Sequence, residues 1–353
     1  MDKVRIALIG AGNIGKCHLE RYKKDTRFEV AAICDFNELT LNETADIYGI
    51  EKRYTDIDEM LSSEKLDAAD VCVWNCNHAK CSIKALNAGL HVFCEKPMAY
   101  SVAEAEAMKE AAEKNNRILM IGFVMRFSNE STIAKDFIDN GYLGEIYYSK
   151  ATYLRRHGNP CGWFSDKSRS GGGPVLDLGV HVIDHTRYLM GNPKPVSVYA
   201  TTFDKLKNRP HIKTKSGWMP KGATTQDLCD VEDMATALIR YDNGAVTLLE
   251  TSFSLNTQPS IQKEIYGTKG GMSLEGGLKI YSEMNDYLVD ITPVDLNLLI
   301  NGTEPFEAEI KHFGDCVLSG TKCMANADDG IVVMKILEAI YKSAKTGHEV
   351  IID

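Results

Sequence analysis

The stretch Val4-Arg5-Ile6-Ala7-Leu8-Ile9-Gly10-Ala11-Gly12-Asn13-Ile14-Gly15 constrains this chain more than any other part of it. A β-prone apolar run ends in a turn with glycines at three fixed offsets, and a helical pattern follows from Gly15 to Lys24. At such a junction Gly10 permits the tight turn, Gly12 lets the backbone approach a pyrophosphate, and Gly15 lets the helix lie close on the strand. A phosphate there meets unpaired amides and the positive end of the helix dipole. The glycine pattern is common by itself, and its flanks make it informative. Phe28–Cys34 reads as the next strand, and Asp35 closes it twenty residues after Gly15. A carboxylate in that place accepts hydrogen bonds from an adenosine ribose, although the position also suits a helix N-cap. Neither Phe36 nor Asn37 offers a cation to a 2′-phosphate, so the pattern points to NAD rather than NADP.

The alternation continues. Helices are predicted from Glu38 to Tyr48 and from His78 to Ala88, with strands at Asp70–Trp74 and His91–Cys94. Ser101 with Glu104 forms a capping box that opens a helix to Lys114, and Ile118–Phe123 makes a further strand. This rhythm predicts a parallel sheet covered on both faces. After Phe123 longer β-like runs appear at 145–155, 196–203, 234–241, 245–253 and 261–267, and Asp242-Asn243-Gly244 reads as a turn between two of them. The expected fold is α/β: a Rossmann domain over residues 1–123, then an α/β substrate-binding and oligomerisation domain over 124–353 with a large, mostly antiparallel open sheet. A chain of 353 residues is too long for one core, which agrees with two domains. Asn326–Thr346 is predicted as one amphipathic helix. The polar segment 204–227 has no periodicity and is either a surface excursion or a cover over a substrate.

A formal charge of -9 argues against nucleic acid or an anionic membrane as a partner. No apolar run approaches the ~18 residues of a membrane span, and the charged start of the chain does not read as a secretory signal. The ten cysteines are scattered and form no C-x-x-C pair, so reduced cysteines in a cytoplasmic protein are expected, with no metal.

In a doubly wound sheet, ligands lie outside the carboxyl ends of the strands. Candidate cofactor residues at those ends are Gly10, Gly12, Asn13, Ile14, Asp35, Asn75, His78, Glu95 and Lys96. On these motifs the chain resembles the family of glucose–fructose oxidoreductase and inositol dehydrogenase. The glycine turn, Asn75-x-x-His78, Ala85-Leu86-Asn87-Ala88-Gly89 and Glu95-Lys96-Pro97 fall in that family's order. So do Gly171-Gly172-Gly173, Asp177-x-Gly179-x-His181-x-x-Asp184 and the closing Lys345-Thr346-Gly347. Val73-Trp74 departs from the family's usual Thr-Pro before Asn75 and leaves the packing on the nicotinamide side open. The resemblance implies metal-free, NAD-linked oxidation of a sugar, sugar derivative or cyclic polyol. It implies Lys96, Asp177 and His181 as the catalytic trio, and a homo-oligomer, dimer or tetramer.

The residue chemistry points the same way. Oxidising a carbinol removes a hydride from carbon and a proton from oxygen, and a base with a pKa near neutrality suits the proton transfer. Asp177 and His181 are four apart in an expected helix, so they share a face. His181 is then the acid/base, Asp177 orients the substrate or the imidazole, and Lys96 stabilises developing alkoxide charge. Asp184 reads as a tie between the helix and a loop. Asp177, His181 and His185 could also be spaced for a metal, but no fourth ligand is evident. Arg126, Arg156, His157 and Trp163 are candidate substrate contacts, with Trp163 better suited to core packing. Two rival readings share the cofactor site. One is a redox-assisted glycosidase, in which NADH does not accumulate; the other is a non-catalytic NAD sensor, which would tolerate loss of Lys96 and His181.

Overall fold

The computed structural model describes residues 3–207, 209, 211–213, 218–294 and 304–353. The described residues form two compact units. The first comprises residues up to Val124 together with Glu304–Met334, and the second comprises Met125–Thr303 with Lys335–Asp353. The first unit is therefore discontinuous in sequence, whereas the pattern placed everything after Phe123 in a second domain.

In the first unit six parallel strands lie in the order β3-β2-β1-β4-β5-β6: β1 (Val4–Ile9), β2 (Phe28–Cys34), β3 (Arg53–Tyr54), β4 (Ala68–Val71), β5 (His91–Cys94) and β6 (Leu119–Ile121). Five helices connect them: α1 (Asn13–Tyr22), α2 (Glu38–Tyr48), α3 (Ile57–Ser63), α4 (His78–Asn87) and α5 (Val102–Lys114). The central strands β1, β4, β5 and β6 are buried on both sides, as the unbroken apolar runs require, and β2 and β3 toward the edge are less so. The order reverses between β1 and β4, where doubly wound sheets bind ligands. Ser101 caps α5 by accepting from the Glu104 amide, while the Glu104 carboxylate reaches back to the amide of Tyr100, one residue earlier than in a standard capping box.

The second unit holds a nine-stranded sheet ordered β14-β13-β12-β11-β7-β10-β9-β8-β15. Its strands are β7 (Ile146–Leu154), β8 (Pro195–Phe203), β9 (Met234–Tyr241), β10 (Val246–Ser252), β11 (Ser260–Gly267), β12 (Gly270–Ser273), β13 (Lys279–Met284), β14 (Tyr287–Ile291) and β15 (Val350–Ile351). Every pairing is antiparallel except β7 with β10. Gly244, with φ +85°, sits in the turn between β9 and β10. The helices of the remaining chain are α6 (Asn129–Asp139), the short α7 (Lys167–Ser170), α8 (Val180–Leu189), α9 (Pro305–Ser319) and α10 (Ala327–Thr346). No described helix is long and apolar enough to cross a membrane.

Candidate active site

The glycine turn is built as its sequence requires. Gly10 has φ +105°, and a Cβ there would sit 2.4 Å from the Cys72 carbonyl oxygen. A Cβ on Gly15 would lie 2.2 Å from the Gly10 oxygen. Gly12 differs, because no heavy atom lies within 4 Å of the Cβ position. It precedes α1 with no side-chain cap, and Gly12 and Asn13 are exposed. An open surface beside uncapped first-turn amides fits a pyrophosphate. Asp35 accepts from the Ala11 amide through Oδ2 and from the Asn37 amide through Oδ1, both at 2.8 Å. The N-cap of α2 is Asn37, which accepts from Thr40, so Asp35 does not cap the helix. A carboxylate has about four acceptor sites, so two remain for a ribose. These residues fit an NAD molecule.

Glu95 and Lys96 follow β5 directly. Glu95 is buried, and its Oε2 accepts from the Lys96 amide at 3.0 Å. Burial pushes the Glu95 pKa up, but His18, and then Lys96, outweigh it and hold it below the usual carboxylate range. The sequence pattern offered His78 as a cofactor contact, and its geometry corrects this. Its Nδ1 lies 2.7 Å from the Pro97 oxygen, its Nε2 lies 3.1 Å from the Val73 oxygen, and the ring is buried. Both nitrogens face backbone carbonyls, so His78 ties the end of β4 to the Lys96-Pro97 turn. Asn75 is buried in the short turn that precedes α4.

Asp177 and His181 lie in the second unit. Val175–Gly179 winds as a π turn that runs directly into α8. The regular helix expected over both residues is thus interrupted at Asp177, and single π turns recur at functional sites. The preceding glycines are forced by close approach. A Cβ on Gly172 would lie 2.0 Å from the Tyr341 hydroxyl, and one on Gly173 would lie 2.3 Å from the Glu232 carbonyl oxygen. The Glu232 side chain accepts from the amides of Gly173 and Val175 at 3.0 and 3.2 Å and from the Tyr341 hydroxyl at 2.8 Å. Burial pushes its pKa up. Sequence reasoning missed Glu232, since nothing local relates it to a turn some sixty residues away. The Asp177 carboxylate is 4.0 Å from the Arg155 guanidinium, and both side chains are largely buried.

Arg126 corrects another expectation. It is 1% exposed, donates to the Asp184 carboxylate through two nitrogens, and lies 4.8 Å from the Tyr188 ring. It is committed to the core, and Asp184 ties α8 to the 124–127 turn as the pattern suggested. His185 is buried, with Nε2 2.9 Å from the Ser131 hydroxyl, so that nitrogen is engaged on α6. Arg156 is exposed and His157 half-buried. Trp163 is half-buried and stacks on Phe164 at 3.9 Å. The polar 204–227 segment is anchored at its ends. Asp233 accepts from the backbone amides of Lys205 and Lys207, and Asp227 accepts from those of Gly162 and Thr224. Residues 208, 210 and 214–217 of that segment lie outside the described residues.

Comparison with known proteins adds to this geometry. Residues 4–123 match the profile described as "Oxidoreductase family, NAD-binding Rossmann fold", and residues 132–273 match the GFO/IDH/MocA C-terminal domain. The chain is 34% identical over 352 residues to the D-glucoside 3-dehydrogenase of Escherichia coli (strain K12), covering 98% of this chain and 97% of that one. It is 27% identical to the myo-inositol 2-dehydrogenase of Thermotoga maritima, over 98% of each. Among solved structures, a levoglucosan dehydrogenase in complex with NADH and levoglucosan superposes with a TM-score of 0.86 at 25% identity, over 99% of each chain.

Proposed function

Because the chain belongs to the GFO/IDH/MocA family of NAD-binding oxidoreductases, we propose that it reversibly oxidises a secondary hydroxyl of a sugar, sugar derivative or cyclic polyol. The observation that carries the reading is the open, uncapped amide surface at Gly12 beside Asp35. It stands in a chain that matches a D-glucoside dehydrogenase from end to end. A D-glucoside is therefore the first substrate class we assign.

Gly10, Gly12, Asn13, Ile14 and Asp35 would hold NAD, with Asn75, Glu95 and Lys96 toward the nicotinamide end. When bound, the nicotinamide supplies an acceptor for hydride. The protein's own part is to bind the sugar, take the hydroxyl proton and stabilise charge on the oxygen left behind. His181 takes the proton, since histidine's ordinary range brackets neutrality. Asp177 orients the imidazole or the sugar, and Lys96 donates to the reacting oxygen, a contact that gains strength as negative charge develops. Arg156, His157 and Trp163 are assigned to sugar contact, and the 204–227 segment to covering the sugar.

We also assign the open face of the nine-stranded sheet to a homo-oligomeric contact, in a dimer or tetramer. Tyr199, Leu238 and Leu248 form one cross-strand row, and Tyr148 stacks on Tyr266 at 5.4 Å in a neighbouring one. Tyr199 and Leu238 are 54% and 42% exposed. Apolar side chains gathered in rows on one face, rather than scattered, are what contact surfaces present.

The test is NADH formation, followed by absorbance, with methyl D-glucosides, levoglucosan, myo-inositol, D-xylose and D-apiose. Steady NADH accumulation with one of them supports net oxidation. Glycoside cleavage with no accumulation would replace this reading by the redox-assisted one. Binding of NAD with neither outcome would leave a sensor.

A further inference from the structure

Behind the Glu95–Lys96 turn lies a fully buried titratable group that the proposed chemistry does not use. His18, on the inner face of α1, is 0% exposed. Its Nδ1 lies 2.8 Å from Asp70 Oδ2, on β4, and its Nε2 lies 3.2 Å from Glu95 Oε1. The ring is parallel to that of Phe93 at 5.2 Å and is closed off by Phe306 at 6.0 Å. Both nitrogens therefore face a carboxylate oxygen inside the core.

A neutral imidazole has one N–H and one lone pair. With both carboxylates ionised, a neutral His18 would aim its lone pair at an anion in a low-dielectric surrounding. It would also leave the buried Asp70 carboxylate without a cation, which is the costly arrangement for buried ions. An imidazolium bonds Asp70 through Nδ1 and places its cation 3.2 Å from Glu95 Oε1. The surroundings agree: burial pushes the His18 pKa down, but Asp70 and then Cys72 raise it, and the net position is well above the ordinary one. The other titratable groups acting on this cluster include Cys72, whose Sγ is 3.3 Å from Asp70 Oδ1 and 3.5 Å from His18 Nδ1, and Tyr22, Cys17, Cys94, His78, Glu309 and Lys96.

The consequence runs through Glu95. One of its oxygens faces His18, and the other accepts from the Lys96 amide. A Cβ on Gly122 would lie 3.2 Å from Glu95 Oε1, so the carboxylate is confined on that side as well. His18 lies on the same helix whose first turn lines the pyrophosphate surface. We propose that His18 is a positioning residue, a buried imidazolium that fixes Glu95 and through it the backbone of Lys96, so that the helix at the cofactor phosphates and the lysine at the reacting oxygen are set by one clamp. This rests on the reading of Lys96 given above.

Two measurements test it. Nitrogen-15 NMR of histidine-labelled wild-type protein reads the charge state with no mutation. Both His18 nitrogens should carry a proton at pH 7, and a single neutral tautomer there would overturn the proposal. The second is a kinetic cycle of H18Q and K96M, using single-turnover rates with the fastest substrate of the panel above. Misplacement of a reacting group by about 1 Å can cost ~10²-fold. H18Q should lower the rate about 10- to 100-fold in the wild-type background and less than twofold in the K96M background, because it acts through that lysine. Equal losses in both backgrounds, or an H18Q enzyme with the wild-type rate, overturn the positioning role alone. Near-wild-type turnover by K96M instead overturns the reading of Lys96 on which the proposal rests.

Discussion

Replacing Asp35 with Ser separates two jobs that the structure gives to one carboxylate. Oδ2 holds the Ala11 amide of the glycine turn and Oδ1 holds the Asn37 amide. The remaining acceptor capacity is what would face the adenosine ribose. Hydrogen bonds to a charged group contribute about 1.5–3 kcal/mol. Loss of the ribose contact should then weaken NAD by roughly 10- to 150-fold, at 1.4 kcal/mol per tenfold. NADP should lose much less or gain, because the substitution removes an anion that repels its 2′-phosphate. Loss of the Ala11 tie is a separate effect on stability, also about 1.5–3 kcal/mol, and it would loosen the turn for both cofactors alike. Titrating NADH and NADPH by fluorescence, beside thermal melts of the same preparations, reads both effects. The ratio of the two dissociation constants isolates the ribose contact. If NAD and NADP weakened by the same factor, the carboxylate would serve the glycine turn alone, and the preference for NAD would need another source.

H181A should fold and bind NAD, with single-turnover rates down about 10²–10⁴-fold, the usual contribution of a placed acid or base. K96M should also be slow, and the two losses should not multiply if both act on one oxygen; normal rates per folded molecule would refute the assignment. R126M leaves the Asp184 carboxylate buried without its cation and should destabilise the protein by about 3–5 kcal/mol in denaturant titrations. A change below 1 kcal/mol would mean that water or another donor replaces the guanidinium. Substituting Leu238 with Asp should shift the protein to a smaller assembly in light scattering. An unchanged mass, or a wild-type protein already monomeric, would remove the open sheet face as the contact.

The first unit was legible because its signals are local. Apolar runs ending in Gly10, Asp35 and Glu95-Lys96 mark strand ends, and β2, α2 and β5 have the bounds that periodicity predicts. The short β3 and α3 escaped notice, as two strand residues and two helical turns carry too little pattern. So did α9, whose chain returns to the first unit from far along the sequence. Arg126 and His78 were misread for a related reason. Residue type advertises a ligand-binding group, whereas burial and partner, Asp184 in one case and two carbonyls in the other, exist only after folding. The π turn at Asp177 was hidden as well, because the three glycines read as a loop and the residues after them as ordinary helix. The close approach that forces Gly172 and Gly173 involves Tyr341 and Glu232, neither of which is near in sequence.

These misreadings share a physical basis. A polar group that acts on a ligand must stay partly exposed, and an exposed side chain is free to rotate. Holding it requires hydrogen bonds from groups that do not rotate, and such groups are buried. Lys96, half-exposed, follows a Glu95 whose carboxylate accepts from the Lys96 amide and is faced by His18, and precedes a Pro97 whose carbonyl is held by His78. Asp177, partly buried, lies in a turn whose amides are held by Glu232, itself held by Tyr341. Each buried polar side chain costs desolvation that an apolar residue would avoid. A core selected for stability alone would tend to replace them, since buried ion pairs contribute little net stability over apolar packing. Buried polar groups occur elsewhere in the core, as Arg126 with Asp184 shows; what sets Glu95 and Glu232 apart is that they accept from the backbone amides of the turns that carry Lys96 and Asp177. The same argument orders the expected phenotypes. Loss of a holding residue should lower turnover through geometry and cost stability as well, whereas loss of Lys96 or His181 should lower turnover with little change in melting temperature.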